Sequence, residues 1–381
     1  MESRKLVIRQ LTDHGQVGSS SAISADGRLL AYVKRDPRQS LRVKQLESTA
    51  YIPQIWFQPY PSGEFSRISN DLSAYSYLSS SADNKILVTN QVHRSSTVYA
   101  SDSPANLHRD IQWNLKPVST EQIAGSRLSW TSSGNLAQID EWNRLDLTSA
   151  TGANRVRLLN NDPTVWWMSS CGPGDQLAIS RVSDTDETNI WKFNPATGEL
   201  RQITNGKLNL SPSCTPDGNW LIYQSFWQSE LSEIRKIPTG GGPSVKLAAG
   251  VLYLFPHAIS ADGQRFVYLR YEGEGKQRKL LFAVQKLEGD SPSQIIAAPG
   301  WVRDTGWTPD GAALTFLREE DDGTNSLWIE RLSGGSPERL MHFDSEPPRM
   351  IAYAWSRDGR KIAITRAVRY DTDVVQFSGF R

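Results

Sequence analysis

Short, mostly apolar β-type runs recur along the whole chain: LLAYV at 29–33, WLIYQ at 220–224, RFVYL at 265–269, ALTFL at 313–317 and KIAIT at 361–365. Aliphatic, β-branched and aromatic residues gathered in this way are the material of strands. A turn phrase precedes each run: ISADG at 23–27, SSADN at 80–84, TPDG at 215–218, ISADG at 259–263, TPDG at 308–311 and SRDG at 356–359. Proline presets φ at the first corner, aspartate bonds amides two residues on, and glycine takes the positive φ that other residues resist. Each phrase therefore predicts a hairpin.

Two further copies are degraded. Trp130-Thr131-Ser132-Ser133-Gly134 lacks the aspartate, and Cys171-Gly172-Pro173-Gly174-Asp175 has its turn residues scrambled, yet alternation follows both, as NLAQI and QLAIS. Counting them gives eight turns, at Asp26, Asp83, Ser133, Gly174, Asp217, Asp262, Asp310 and Asp358, spaced by 41 to 57 residues. Spacing of this size with several strands per unit predicts propeller blades. In the fifth unit Leu210–Thr215 reads as the inner strand, Asn219–Phe226 as the second, Glu233–Pro238 as the third and Ser244–Ala248 as the outer. A tryptophan in the third strand (Trp56, Trp191, Trp328) supplies bulk where twisted sheets pack face to face.

The expected architecture is all-β: a single eight-bladed β-propeller of four-stranded antiparallel blades over residues 1–381. After Asp358 the last unit has strands at Lys361–Arg366 and Asp373–Phe377 but no outer one, and the N-terminal Leu6–Leu11 is expected to supply it, closing the ring. Ser40–Leu46 and Gln54–Tyr60 both read as third strands of one unit, so seven blades plus an extra hairpin is the alternative.

Composition removes some functions. Lys and Arg total 42 against 41 Asp and Glu, a net charge of +1, so no global field points to nucleic acid or an anionic membrane surface. Met1-Glu-Ser-Arg-Lys leads into strand-like sequence without a signal peptide's apolar core, and no apolar run is long enough to span a bilayer. As written the chain is expected to be a cytoplasmic monomer, or periplasmic if it is part of a membrane sensor. Cys171 and Cys214 hold matching positions in adjacent units, judged too far apart to bond, and are expected to be two small buried hydrophobes.

Little in the chain announces chemistry. The histidines at 14, 93, 108, 257 and 342 form no metal-ligand pair, no G-x-S-x-G elbow occurs, and Gly240-Gly241-Gly242 and Gly334-Gly335 sit in reversals with no helix after them to bind phosphate. Asp184/Asp186 and Glu319–Asp322 read as solvated loops, with weak calcium binding as the alternative. No cofactor and no metal are expected. The loops where an outer strand crosses to the next inner strand carry Tyr75 and Tyr77, Trp166 and Trp167, Asn209, Tyr253 with Phe255 and His257, Trp301 with Arg303 and Asp304, Arg349 and Tyr353. Aromatic residues mixed with Arg and Asp are the materials of a recognition surface. From this set Tyr75, Trp166, Asn209, His257, Trp301, Arg303 and Tyr353 are expected to bind a ligand at the channel mouth, although each could equally pack between blades.

The S-x-D-G turns, third strands reading I-W or L-W, the segment Gln54–Asp71 and the closing stretch from Ala354 to Arg381 resemble WD40-like, TolB-like repeat propellers of bacteria, over essentially the whole chain. Such propellers are often C-terminal sensor regions of transmembrane serine/threonine kinases or of winged-helix regulators. The resemblance implies a non-enzymatic sensor module that binds a protein, peptide or small ligand. Two alternatives stand beside it: a propeller-fold hydrolase or lyase using His257, Arg303 and Tyr353 around the axis, and a scaffold or sensor fragment with no ligand of its own.

Overall fold

The structure is a computed structural model, and it describes residues 17–34, 54–69, 73–104, 106–108, 111–118, 127–140, 144–159, 164–183, 187–226, 232–251, 257–273, 277–343 and 350–379. Backbone contacts divide the chain into two compact units, one of residues 1–94 and 369–381, the other of 95–368. All regular structure in the described residues is β.

In the first unit β1 (Val17–Ile23), β2 (Leu29–Lys34), β3 (Gln54–Pro59) and β4 (Ser66–Arg67) form one antiparallel sheet. A second sheet pairs β5 (Ala74–Ser80) with the start of β6 (Ile86–Asp102). Ala31, Ile55, Phe57, Tyr75 and Leu87 are buried together, with Val375 and Phe377 against them.

The second unit holds six sheets. The end of β6 pairs with β7 (Lys116–Pro117). Four strands follow as β8 (Arg127–Trp130), β9 (Leu136–Ile139), β10 (Leu145–Thr148) and β11 (Arg155–Arg157). The next sheet is β12 (Val165–Ser170), β13 (Leu177–Val182), β14 (Thr188–Asn194) and β15 (Glu199–Gln202). After it come β16 (Leu208–Cys214), β17 (Trp220–Phe226), β18 (Ser232–Pro238) and β19 (Val245–Val251), which follow the strands expected for that unit to within a few residues at each end. Then come β20 (Ala258–Ile259), β21 (Arg265–Glu272), β22 (Lys279–Lys286) and β23 (Pro292–Ala297), and β24 (Val302–Trp307), β25 (Ala313–Glu319), β26 (Asn325–Arg331) and β27 (Glu338–Met341). Last are β28 (Met350–Trp355) and β29 (Lys361–Ser378), whose first residues join the end of β6.

Each first strand lies against the first strand of the next sheet: β8 on β12, β12 on β16, β16 on β20, β20 on β24, β24 on β28, and β28 back on β8. An apolar layer fills every one of the six interfaces, including the closing one, where Val98, Val118, Trp130, Leu136 and Ala363 are buried together. The second unit is therefore a closed ring, an all-β propeller.

Three expectations change. Six sheets close the ring, so the count of eight is not confirmed; the turns at Asp26 and Asp83 belong to the first unit. The last sheet of the ring is completed two-plus-two, by β6 and β7 beside β28 and β29, rather than by one N-terminal strand. The Ser103 amide donates to the Arg360 carbonyl at 2.7 Å, and Lys361 pairs with Asp102 at 2.9 Å across this seam. Leu6–Leu11 and Ser40–Leu46 lie outside the described residues. Finally, Cys171 and Cys214 form a disulfide. Equivalent positions of neighbouring sheets converge close to the axis, and these two Cα atoms are 5.1 Å apart, inside the range a disulfide spans.

Candidate functional site

The inner strands of the ring enclose a cavity of about 310 Å³ along its axis, lined by residues from all six sheets. On four of the inner strands the wall residues share one register, four positions before the Ser, Thr or Cys that opens the turn. That position is Arg127 on β8, Trp167 on β12, Ser211 on β16 and Asp304 on β24, and all four line the cavity, whereas its counterpart on β28, Ala352, does not. The backbone is irregular there. Strand pairing slips between Val165 and Trp167, Leu210 and Ser213, and Arg303 and Gly306, while Ser211 and Asp304 have φ of 52° and 45°. A bulge inserts a residue and re-aims its side chain, here at the wall of the axial cavity.

Arg127 joins three of these groups. Its guanidinium lies 4.2 Å from the Trp167 ring centroid and 3.5 Å from the Asp304 carboxylate. Burial pushes the Asp304 pKa above the usual carboxylate value, opposed by Arg127, by the Tyr353 backbone amide and by Arg303. Burial also lowers the Arg127 pKa, and Asp304 works against that change. Burial works against both charges, and each group opposes that effect on the other.

Three wall tryptophans stitch the ring. Trp130 Nε1 donates to the Ala354 carbonyl at 3.1 Å, Trp307 Nε1 to that of Ala258 at 2.9 Å, and Trp355 Nε1 to Thr315 Oγ1 at 3.1 Å, each bond crossing to a neighbouring sheet. Tyr353 does the same: its hydroxyl donates to the Thr315 carbonyl at 2.6 Å, and burial raises its pKa well above the usual value.

Other wall groups have no such partner. Among the described residues, Trp167 Nε1, Ser169 Oγ, Ser211 Oγ and Thr305 Oγ1 are buried without a hydrogen bond, and the buried His257 ring has the Ile222 carbonyl beside it. Burial lowers the His257 pKa from 6.5 to about 4, with the Ile222 carbonyl opposing, so the imidazole is neutral at pH 7. No group of three or more His, Cys, Asp or Glu side chains among the described residues could hold a metal ion.

Of the residues singled out from the sequence, His257 and Tyr353 line the cavity. Trp166 and Asn209 are buried outside it, and Asn209 Nδ2 donates to Asn189 Oδ1 at 2.9 Å. Trp301 is half-exposed, and Arg303 points to Glu319, 3.6 Å away. Tyr75 sits in the core of the first unit, its hydroxyl accepting from Gln91 Nε2 at 3.1 Å. Trp167 and Asp304 belonged to the wider expected set and do line the wall, whereas Tyr253, Phe255 and Arg349 lie outside the described residues. Arg127 and Ser211 carry no local motif; aligning the turns and reading four residues back is the sequence signal that finds them.

No family model and no curated protein matches the chain. Among solved structures it is similar to a putative TolB from Agrobacterium tumefaciens, with a TM-score of 0.54, 16% identity, and coverage of 73% of this chain and 99% of that one. TolB from Acinetobacter baumannii gives 0.46 at 10% identity over 92% and 84% of the two chains. A gluconolactonase from Xanthomonas campestris gives 0.49 at 10% identity over 70% and 97%. At 16% identity the likeness to the Agrobacterium structure establishes a TolB-like β-propeller fold and nothing of function. No helix among the described residues is long and apolar enough to cross a membrane.

Proposed function

We propose that this chain is a non-enzymatic binding module, a sensor or interaction propeller that takes its ligand, or the tip of a partner protein or peptide, in the axial cavity of the second unit. One observation carries the reading: a cavity lined from all six sheets holds the Arg127–Asp304 pair beside buried polar atoms that the protein itself does not satisfy. Buried polar groups cost free energy unless paired. A rigid ring that keeps several of them at a cavity wall is built to pair them with something else. The Cys171–Cys214 disulfide supports an oxidising, extracytoplasmic compartment, the setting of a sensor's outer region.

The test is a thermal-shift screen of peptides, sugars and organic acids on the full chain, followed by calorimetry with Trp167→Ala and Arg127→Gln variants checked for fold by circular dichroism. A ligand that loses about tenfold or more in affinity in either variant supports the reading. Ligands indifferent to both variants contradict it. The second reading, a hydrolase or lyase, is favoured by the neutral imidazole of His257 at the wall, a group able to take a proton. Conversion of a bound compound that stops in a folded His257→Gln variant would establish it instead.

A further inference from the structure

The charges around the cavity are answered from within the protein. Arg127 faces Asp304 at 3.5 Å, and Asp304 also takes the Tyr353 amide and the field of Arg303. Arg357, the other arginine at the wall, lies in the field of Asp217, which holds its pKa up against the effect of burial. What remains unanswered is neutral. The Trp167 indole N–H can only donate; the Ser169, Ser211 and Thr305 hydroxyls can donate and accept; the neutral His257 ring, with its N–H toward the Ile222 carbonyl, offers one acceptor. Trp167, Ser211, Thr305 and His257 are each more than nine-tenths buried. These groups come from four neighbouring strands, β12, β16, β24 and the start of β20, and share the wall with the indoles of Trp130, Trp307 and Trp355.

Each ligand class can be weighed against that wall. An anion must compete with Asp304 for Arg127, and Arg357 already lies in the field of Asp217, so a charge on the ligand gains little for the hydration it loses. An apolar molecule would fill the space but leave every free donor and acceptor buried and unpaired. A molecule with several hydroxyls, no net charge and an apolar C–H face pairs the neutral groups and rests on the indole rings. At about 310 Å³ the cavity is at the small end of ligand pockets.

Resting on the binding reading above, we infer that the cavity takes an uncharged polyhydroxylated molecule, a saccharide of one or two rings. Ser211, Thr305, His257 and the Trp167 N–H read its hydroxyls, and the tryptophan faces hold its ring.

Titration calorimetry and tryptophan fluorescence on the full, oxidised chain test this with D-glucose, D-galactose, maltose and trehalose, set against D-glucuronate and D-glucosamine as charged counterparts. At least one neutral sugar is expected to bind and to exceed its charged counterpart. Ser211→Ala and Thr305→Val, which remove single hydroxyls while nearly keeping shape, and Trp167→Phe, which removes the indole N–H with part of the ring, are each expected to weaken that sugar by about tenfold. Melting temperature identifies any variant that has lost its fold, and the other two then carry the result. If no neutral sugar binds, if the charged forms bind better, or if all folded variants bind as well as the parent, the inference fails. Should a peptide or organic acid instead bind in a manner sensitive to the Trp167 and Arg127 variants, the binding module stands and only the saccharide falls. If no compound of any class responds to the cavity, both fall.

Discussion

His257 is held neutral by its surroundings, and that has a consequence for stability. Its folded pKa is about 4 against 6.5 for a free imidazole, so between those values the unfolded chain binds more protons than the native one. Stability therefore rises with pH across that window and is lost as pH falls through it, with a limit on the order of 3 kcal/mol at 1.4 kcal/mol per pKa unit. Urea midpoints measured from pH 4 to 7 should show this slope in the parent and a flatter one in His257→Phe; equal slopes would mean that the imidazole is hydrated. Tyr353 offers a second check. Its hydroxyl closes on the Thr315 carbonyl at 2.6 Å in a buried setting, and Tyr353→Phe removes that bond, a loss of about 0.5–1.5 kcal/mol in urea unfolding. Both residues stand out in the sequence as aromatic or titratable groups before an inner strand. Arg127 and Ser211 do not, because a serine or arginine in a strand looks like any solvent-facing residue until the register of all the turns is compared.

The turns show why the elements were legible. In each intact copy the opening Ser or Thr hydroxyl donates to the aspartate at 2.5 to 2.6 Å, and the amide two residues after the aspartate donates to it at 2.9 to 3.2 Å. For Asp217 and Asp358 the hydroxyl bond is the largest cause holding the carboxyl below its usual pKa. These bonds are local, so a short phrase encodes them. The degraded copies are repaired by each other: Asp175 accepts from Thr131 at 2.6 Å, from Ser133 and from Asn135, supplying the carboxylate that the turn at Ser133 lacks. The third-strand tryptophans also have a shared role. Lys34 lies 4.7 Å from the Trp56 ring centroid, Arg181 5.6 Å from that of Trp191 and Arg318 4.8 Å from that of Trp328, each cation on the adjacent strand at the same diagonal register. The disulfide was not legible, since spacing in sequence says nothing of how near the axis two equivalent residues lie. Replacing Cys171 and Cys214 by Ser should cost about 2–4 kcal/mol in urea unfolding, and reductant should lower the parent by the same amount while leaving the variant unchanged. Beside the disulfide, a Cβ at Gly218 would stand 2.6 Å from the Gly172 Cα at a φ of 74°, whereas at Gly134, with a φ of 84°, it would meet nothing within 4 Å. Gly134→Ala is thus expected to cost the left-handed penalty alone, roughly 1–2 kcal/mol, and Gly218→Ala distinctly more; equal melting temperatures would contradict the close approach of the two turns.

On the scale of the whole molecule, local periodicity could count hairpins but not say which of them share a ring. The phrase at Asp26 is the same as at Asp262, yet membership depends on which inner strand meets which, a contact between residues far apart in sequence. The pairing of β6 and β7 with β28 and β29 decides closure, and it leaves β28 beside β8 with Trp130 bonded to Ala354. Everything proposed for the cavity depends on that closure, because the Arg127–Asp304 pair forms only if β8 and β24 are held around one axis. A crystal structure of the full oxidised chain tests this most directly. The account predicts six sheets around a cavity, β28 against β8, and Arg127 within reach of both Trp167 and Asp304. A ring in which further sheets stand between β28 and β8, with Arg127 and Asp304 parted, would contradict it.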